Sequence, residues 1–236
     1  MKILSFDTSA KTAAVAVVDD RNVLATAQIT TNLTHSQTLL PLCEQLLHTA
    51  GITLADIDCF AVSNGPGSFT GLRIGIGTVK GLAQGINKPC IGVSTLQALC
   101  YNYYGLDGVI CAAMDARRNQ VYTAIYDANG MQCLLDDCAL PVEELGEILN
   151  QYPSVTLVGD GAKLVFRQLT DKLSGLKLAP PALLYQNAAS VALAAFDLLE
   201  QSEPLQAEAL TPRYLRLPQA ERERMEKEQK ILEGGQ

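Results

Sequence analysis

The chain has 236 residues, 48% of them hydrophobic, which is enough apolar surface for one large domain or two of ordinary size. No apolar run reaches the ~18 residues of a membrane span, and the start (Lys2, then Ser5 and Asp7) is not a secretory leader, so a cytoplasmic location without membrane contact is expected. A net charge of −7 without a basic stripe excludes strong unaided binding to nucleic acid, because neutralising phosphates needs clustered Lys and Arg. Seven cysteines, odd in number and never spaced Cys-x-x-Cys, argue against a zinc ribbon or a disulfide framework and fit reduced, mostly buried thiols.

The predicted elements run as follows. Short β-branched runs at 2–7, 13–18 and 23–29, separated by turn residues, predict an antiparallel meander. A helix follows over 36–50, with Thr34 and Gln37 as its capping box and Pro41 disturbing an early turn unless the helix starts nearer Thr38. Then come a strand at 57–62, a glycine-rich helix at 70–86, a strand at 89–93 and a helix at 95–104. The second half repeats the order, with strands at 109–114, 121–126 and 131–135, a helix at 142–151, a strand at 155–158, and helices at 162–173 and 187–200. Three strands, helix, strand, helix thus occurs twice, which reads as two mixed-sheet α/β domains by duplication, 1–104 and 105–217, packed on each other without a flexible linker. The charged segment 218–236 reads as a solvated helix or frayed tail.

A βββαβα unit used twice is the plan of the actin/Hsp70/sugar-kinase (ASKHA) superfamily, a two-lobed α/β fold. The blocks FDTS at 6–9, SNGPGSFTGLRIGIGTVKGLA from Ser63, IGVSTLQAL from Ile91, MDARRNQVY from Met114, VGDGA from Val158 and the closing TPRYLR resemble the TsaB (YeaZ) family over nearly the whole chain. The resemblance implies a subunit needed to make threonylcarbamoyladenosine beside the anticodon of tRNA. Such a subunit binds and activates the paralogous transferase TsaD as a heterodimer, works with the small ATPase TsaE, and meets tRNA only through the complex. The threonylcarbamoyl-adenylate donor is made by a separate enzyme.

The same resemblance bears on catalysis. TsaD carries a segment Asn-His-x-x-x-His whose two imidazoles, one helical turn apart, ligate a metal. Here the matching positions are Thr95 and Leu99, and the two histidines present, His35 and His48, are thirteen residues apart at the two ends of the first helix. No metal centre, no transferase site and no cofactor are therefore expected of this chain. No G-x-S-x-G elbow is present either.

Three turns face the cleft of such a fold: Asp7, Thr8 and Ser9 after strand one, Gly65 and Gly67 around Pro66, and Gly159, Asp160 and Gly161. Backbone N–H groups in turns of this kind bind anions. Two readings stand: weak, vestigial ATP or ADP binding, or turns whose glycines serve backbone geometry alone. The alternative function is a stand-alone ATPase or phosphotransferase of the actin-like superfamily, with Asp7 at its centre, for which the sequence offers no evident general base. Arg117 and Arg118 are expected in an interdomain salt bridge, and Arg213 and Arg216 are expected to tie the C-terminal segment to the first domain.

Gly67, Gly71 and Gly75 recur every four residues, and so do Gly77, Gly81 and Gly85. Each glycine inside a helix costs ~0.5–1 kcal/mol relative to alanine, so close packing has to offset the loss. Leu72, Ile76, Val79 and Ala83 form an apolar stripe on this helix. The preceding helix is apolar over more than half its circumference. In the TsaB family these two helices meet the equivalent pair of TsaD in a four-helix contact, so the resemblance implies an interface built from Leu39, Leu40, Cys43, Leu47, Leu72, Ile76, Val79, Lys80 and Ala83. A stable contact of this kind buries on the order of 1,600 Å² in total. A charge placed at Val79 or Ala83 is then expected to leave a folded chain that no longer engages its partner. The competing reading is that the monomer covers both helices itself. In the absence of TsaD the same surface would make a homodimer.

Overall fold

The computed structural model describes residues 1–31 and 33–216; the expected charged tail lies outside the described residues. The meander forms as expected from β1 (Lys2–Asp7), β2 (Thr12–Asp19) and β3 (Asn22–Thr30). Its second turn has Asp20 and Arg21 both at positive φ, 44° and 66°, between the paired Asp19 and Asn22, the mirror-image two-residue turn that matches strand twist. The first helix, α1 (His35–Ala50), starts at His35 and runs through Pro41. Gln37 accepts the Thr34 N–H at 3.3 Å, and Gly51, left-handed at φ 66°, closes the helix end.

The first sheet is completed by β4 (Cys59–Gly65) and β5 (Cys90–Ser94), joined through α2 (Phe69–Gly85). Strand β4 runs parallel to β1, and β5 parallel to β4, so the order is β3-β2-β1-β4-β5. After α3 (Thr95–Cys100), the same plan recurs. The meander β6 (Val109–Asp115), β7 (Gln120–Asp127), β8 (Gln132–Pro141) leads through α4 (Val142–Leu149) to β9 (Val155–Val158). Next, α5 (Ala162–Leu169) leads to β10 (Leu176–Leu178), and α6 (Ala188–Gln201) follows. The second sheet reads β10-β9-β6-β7-β8, the order of the first read backwards.

Strand β10 is absent from the sequence reading. Three residues, Leu-Lys-Leu, carry no period long enough to register, and α5 ends at Leu169 rather than at 173. With β10 in place, strands, helices and pairing directions correspond one to one between the halves.

Alternation along the strands builds the layers. Leu4, Phe6, Val15, Val17, Phe60 and Val62 point to one face of the first sheet and share a core with Leu39, Cys43, Leu46, Ile76, Val79 and Ala83 of α1 and α2. Ile3, Ala14, Ala16, Cys59 and Ala61 point to the other face and join a core that includes α3, α6 and the second sheet. Each half lends its last helix to the other: α6 lies on the first sheet and α3 on the second. The buried Ser5 hydroxyl donates to the Ala188 carbonyl at 2.6 Å across this junction. Interlocking of this kind fixes the cleft between the halves. No described helix is long and apolar enough to cross a membrane.

Candidate functional site

The cleft opens where β1, β4, β6 and β9 end. It encloses about 660 Å³ and is walled by Ser9, Lys11 and Gly67 on one side, Asp115, Arg117 and Asp160 on the other, and Tyr214 and Arg216 across it. Of the residues expected at a nucleotide site, Ser9, Gly67 and Asp160 line this space; Asp7, Thr8, Gly65, Gly159 and Gly161 do not. Asp7 is buried, and its carboxylate accepts from the Ser9 N–H at 2.9 Å, the Ser9 hydroxyl at 2.7 Å and the Ser63 hydroxyl at 2.5 Å. Burial nevertheless holds its carboxyl above the ordinary value, with the Ser63 and Ser9 hydrogen bonds acting against it. The Thr8 hydroxyl donates to the Gly71 carbonyl at 2.8 Å. All three residues of this turn are therefore engaged by the chain itself.

The glycines near the cleft have an equally internal use. A Cβ at Gly67 would press on Ser9, at Gly71 on the Thr8 carbonyl and at Gly75 on the Thr8 hydroxyl, so this first ladder seats the β1 exit loop on α2. A Cβ at Gly65 would collide with the Arg213 carbonyl. Gly159 donates its N–H to Leu184 at 2.6 Å, and Gly161 to Ala113 at 2.9 Å.

The second ladder is different. Gly77, Gly81 and Gly85 are exposed, and a Cβ at any of them would meet nothing within 4 Å. They lie along the outer side of α2, opposite its buried stripe, and on the neighbouring helix α1 Leu40 is 51% exposed. Here the expected interface needs correction. Leu39, Cys43, Leu47, Ile76, Val79 and Ala83 are buried in the core on the first sheet, and Leu72 is fully buried as well. The reason is volume: the sheet takes the bulky stripe of each helix, and the glycine stripe is left outside. Burial pushes the Cys43 thiol up to about 12, in keeping with a packing role. Of the nine residues, Leu40 stays exposed and Lys80 is half-buried, its Nζ donating to the Glu208 carbonyl at 3.1 Å.

His35 stands at the start of α1, with Nε2 2.7 Å from the Ala10 carbonyl oxygen, and His48 is exposed in the last turn. Thr95 and Leu99 are buried in α3. Among the described residues no three His, Cys, Asp or Glu side chains converge.

Arg213 and Arg216 tie the C-terminal segment down as expected, but largely through partners that the sequence did not reveal. The segment's course begins where Leu205 pairs with Cys90 at the free edge of β5. The Arg213 N–H donates to Asn64 at 2.7 Å, but its guanidinium reaches the other half, 3.3 Å from the buried carboxylate of Asp137. Asp137 also accepts from the Ser94 hydroxyl at 2.6 Å; burial raises its carboxyl, while Ser94 and Arg213 oppose that. Arg216 donates to the Ala116 carbonyl and to Gln120. The segment is thus tied to both halves, not to the first alone. Ending β8 at 135 concealed Asp137, which lies inside that strand. Arg117 lies on the cleft wall, its N–H donating to Asp115 at 2.7 Å; a pair joining the halves is Arg21–Asp197, while Arg213–Asp137 ties the C-terminal segment to the second sheet.

Two sheets of one topology, interlocked around a cleft, define an actin/Hsp70-like two-lobed protein. The fold of component A of (R)-2-hydroxyglutaryl-CoA dehydratase from Acidaminococcus fermentans agrees, with a TM-score of 0.50 at 12% identity over 85% of this chain and 99% of that one. The family profile of TsaD, tRNA N6-adenosine threonylcarbamoyltransferase, matches residues 28–224. Among curated proteins, the tRNA threonylcarbamoyladenosine biosynthesis protein TsaB of Bacillus subtilis is 32% identical over 224 residues, 94% of this chain and 96% of that protein. Its Escherichia coli namesake is 42% identical over 135 residues, 56% of this chain and 58% of that protein. YeaZ from Pseudomonas aeruginosa superposes with a TM-score of 0.77 at 29% identity, over 91% of this chain and 99% of that one. The chain belongs to the TsaB family of tRNA threonylcarbamoyladenosine biosynthesis proteins.

Proposed function

We propose that the chain acts as a non-catalytic subunit in tRNA threonylcarbamoyladenosine formation, binding and activating the transferase TsaD and working with the ATPase TsaE in the cytoplasm. The observation that carries this reading is the outer face of α1 and α2. The sheet side of both helices is filled by the chain's own core, yet α2 keeps three exposed glycines spaced by four, Gly77, Gly81 and Gly85, and the neighbouring α1 keeps Leu40 exposed. Exposed glycines in a helix weaken it by ~0.5–1 kcal/mol each relative to alanine, a loss with no return in the isolated chain. Close approach of a second helix gives that return, because backbones separated only by hydrogens pack at short range. The partner surface therefore consists of Leu40, Gly77, Gly81 and their exposed neighbours rather than Val79 and Ala83.

The use of Asp7, Thr8 and Ser9 as internal fasteners supports the accessory role over the ATPase reading, since the carboxylate is occupied by Ser9 and Ser63. The test is complementation. Cells lacking this chain should lose threonylcarbamoyladenosine from tRNA, the wild type should restore it, and Leu40→Glu should fold but restore little. Full restoration by Leu40→Glu, with undiminished co-purification of TsaD, would remove α1 from the interface. Unaltered tRNA modification in the deletion would remove the role altogether.

A further inference from the structure

The cleft is bordered by a piece of the chain itself. Tyr214, Leu215 and Arg216 line it together with walls drawn from both halves. Tyr214 stacks on Phe69 at the start of α2, with ring centres 4.9 Å apart and planes inclined by 25°. Arg73, one turn further along α2, lies 3.9 Å above the Phe69 ring and donates from Nε to the Tyr214 hydroxyl at 3.2 Å. On one side the backbone of Arg213 is hydrogen-bonded to Asn64 and fills the place a side chain at Gly65 would need. On the other, the guanidinium of Arg213 meets Asp137 in β8, and Arg216 reaches Ala116 and Gln120 at the β6–β7 turn.

From these contacts we infer that residues 211–216 form an intramolecular strap, running out from the buried Leu210, that holds the two halves together beside the cleft, so that the cleft widens when Tyr214 and Arg213 release. The strap's hold is of the releasable kind. The Arg213 side chain is 56% exposed and Tyr214 37%, so neither is fixed by core burial. The ion pair joins an exposed guanidinium to the buried Asp137 carboxylate, which keeps the Ser94 hydroxyl as a donor when Arg213 swings away, and exposed cation–π contacts contribute ~0.5–1 kcal/mol. The surrounding scaffold does not depend on them: the strap lies beyond α6, and each sheet is complete without it. Gly65 acquires a specific meaning in this account. It is a glycine because the strap's carbonyl passes over it, not because a phosphate does.

The experiment is hydrogen exchange on the full chain carrying both Arg213→Ala and Tyr214→Ala. Exchange should quicken by about tenfold in the cleft walls of both halves, at 9–11, 66–70 and 115–117, while β2 and β7 keep their protection. Unchanged walls in the folded variant overturn the strap. Should the double variant not fold, a second reading decides. The sequence contains no tryptophan, so Tyr214→Trp supplies a single reporter in an otherwise intact strap. Its emission should be shielded from acrylamide, and adding Asp137→Asn should raise quenching at least about twofold. Quenching equal to that of free tryptophan, or indifferent to Asp137→Asn, refutes the proposal.

Discussion

Helix α2 contains two glycine ladders of identical spacing and opposite surroundings. Gly71 and Gly75 are buried under the Thr8 turn, where a methyl group has no room. Gly77 and Gly81, two turns further along, have open space around them. Residue type and period are the same in both; the surroundings divide one helix into a part fastened to its own fold and a part left uncovered. Small residues in a helix therefore mean close approach in both places, to the chain's own backbone in the first and, as proposed, to another chain in the second.

The largest effect breaks the comparison by ignoring it. Val79 belongs to the buried stripe between the ladders, so Val79→Glu places a charge in the core and should abolish cooperative unfolding, a loss of more than ~4 kcal/mol. A soluble, cooperatively melting Val79→Glu chain would show that α2 is turned differently. Next comes the inner ladder: Gly71→Ala should lower unfolding free energy by about 2–3 kcal/mol, because the overlap is with backbone that cannot rotate away. Denaturant titration reads this directly, and a neutral result would mean that the Thr8 turn yields.

The pH dependence of the same fastener is smaller. Asp7 is held above its ordinary value of 3.8 by burial, so the native chain binds that proton more tightly than the unfolded one. Stability contributed by the protonated group is present below about pH 4 and is lost as pH rises through the native pKa. Asp7→Asn removes this loss, so the stability of the variant relative to wild type should climb through that window and then level off. A difference that stays flat from pH 3 to 8 would contradict burial as the dominant influence. The smallest effect lies on the outer ladder, where Gly77→Ala should raise the stability of the isolated chain by ~0.5–1 kcal/mol, opposite in sign to Gly71→Ala.

The ladders also show what the sequence made legible. The order and type of the larger elements were legible: β1 matches its expected span and Thr34 caps α1 as read, while the ends of α3, β8 and α5 differ from their expected spans by four to six residues. Duplication was visible although β10 was not, because the meander and its helices carry the rhythm. The side of a helix that faces its sheet was not legible. Ile76, Val79 and Ala83 look alike whether they cover a sheet or a partner, and only the position of β1 and β4 decides it. The tie of Arg213 and Arg216 was anticipated, but Asp137 and the reach of the segment to the second sheet escaped for another reason: they rest on contacts between residues as far apart as Ser94, Asp137 and Arg213, which no local period encodes.

The outer ladder's role is tested most directly by calorimetric titration of TsaD with wild-type chain and with Gly81→Arg. Gly81 is exposed and has room for a side chain, so the variant should melt within a few degrees of wild type. Its affinity for TsaD should fall at least about a hundredfold, on the order of 2.7 kcal/mol. Equal affinity of a folded Gly81→Arg chain would contradict the account.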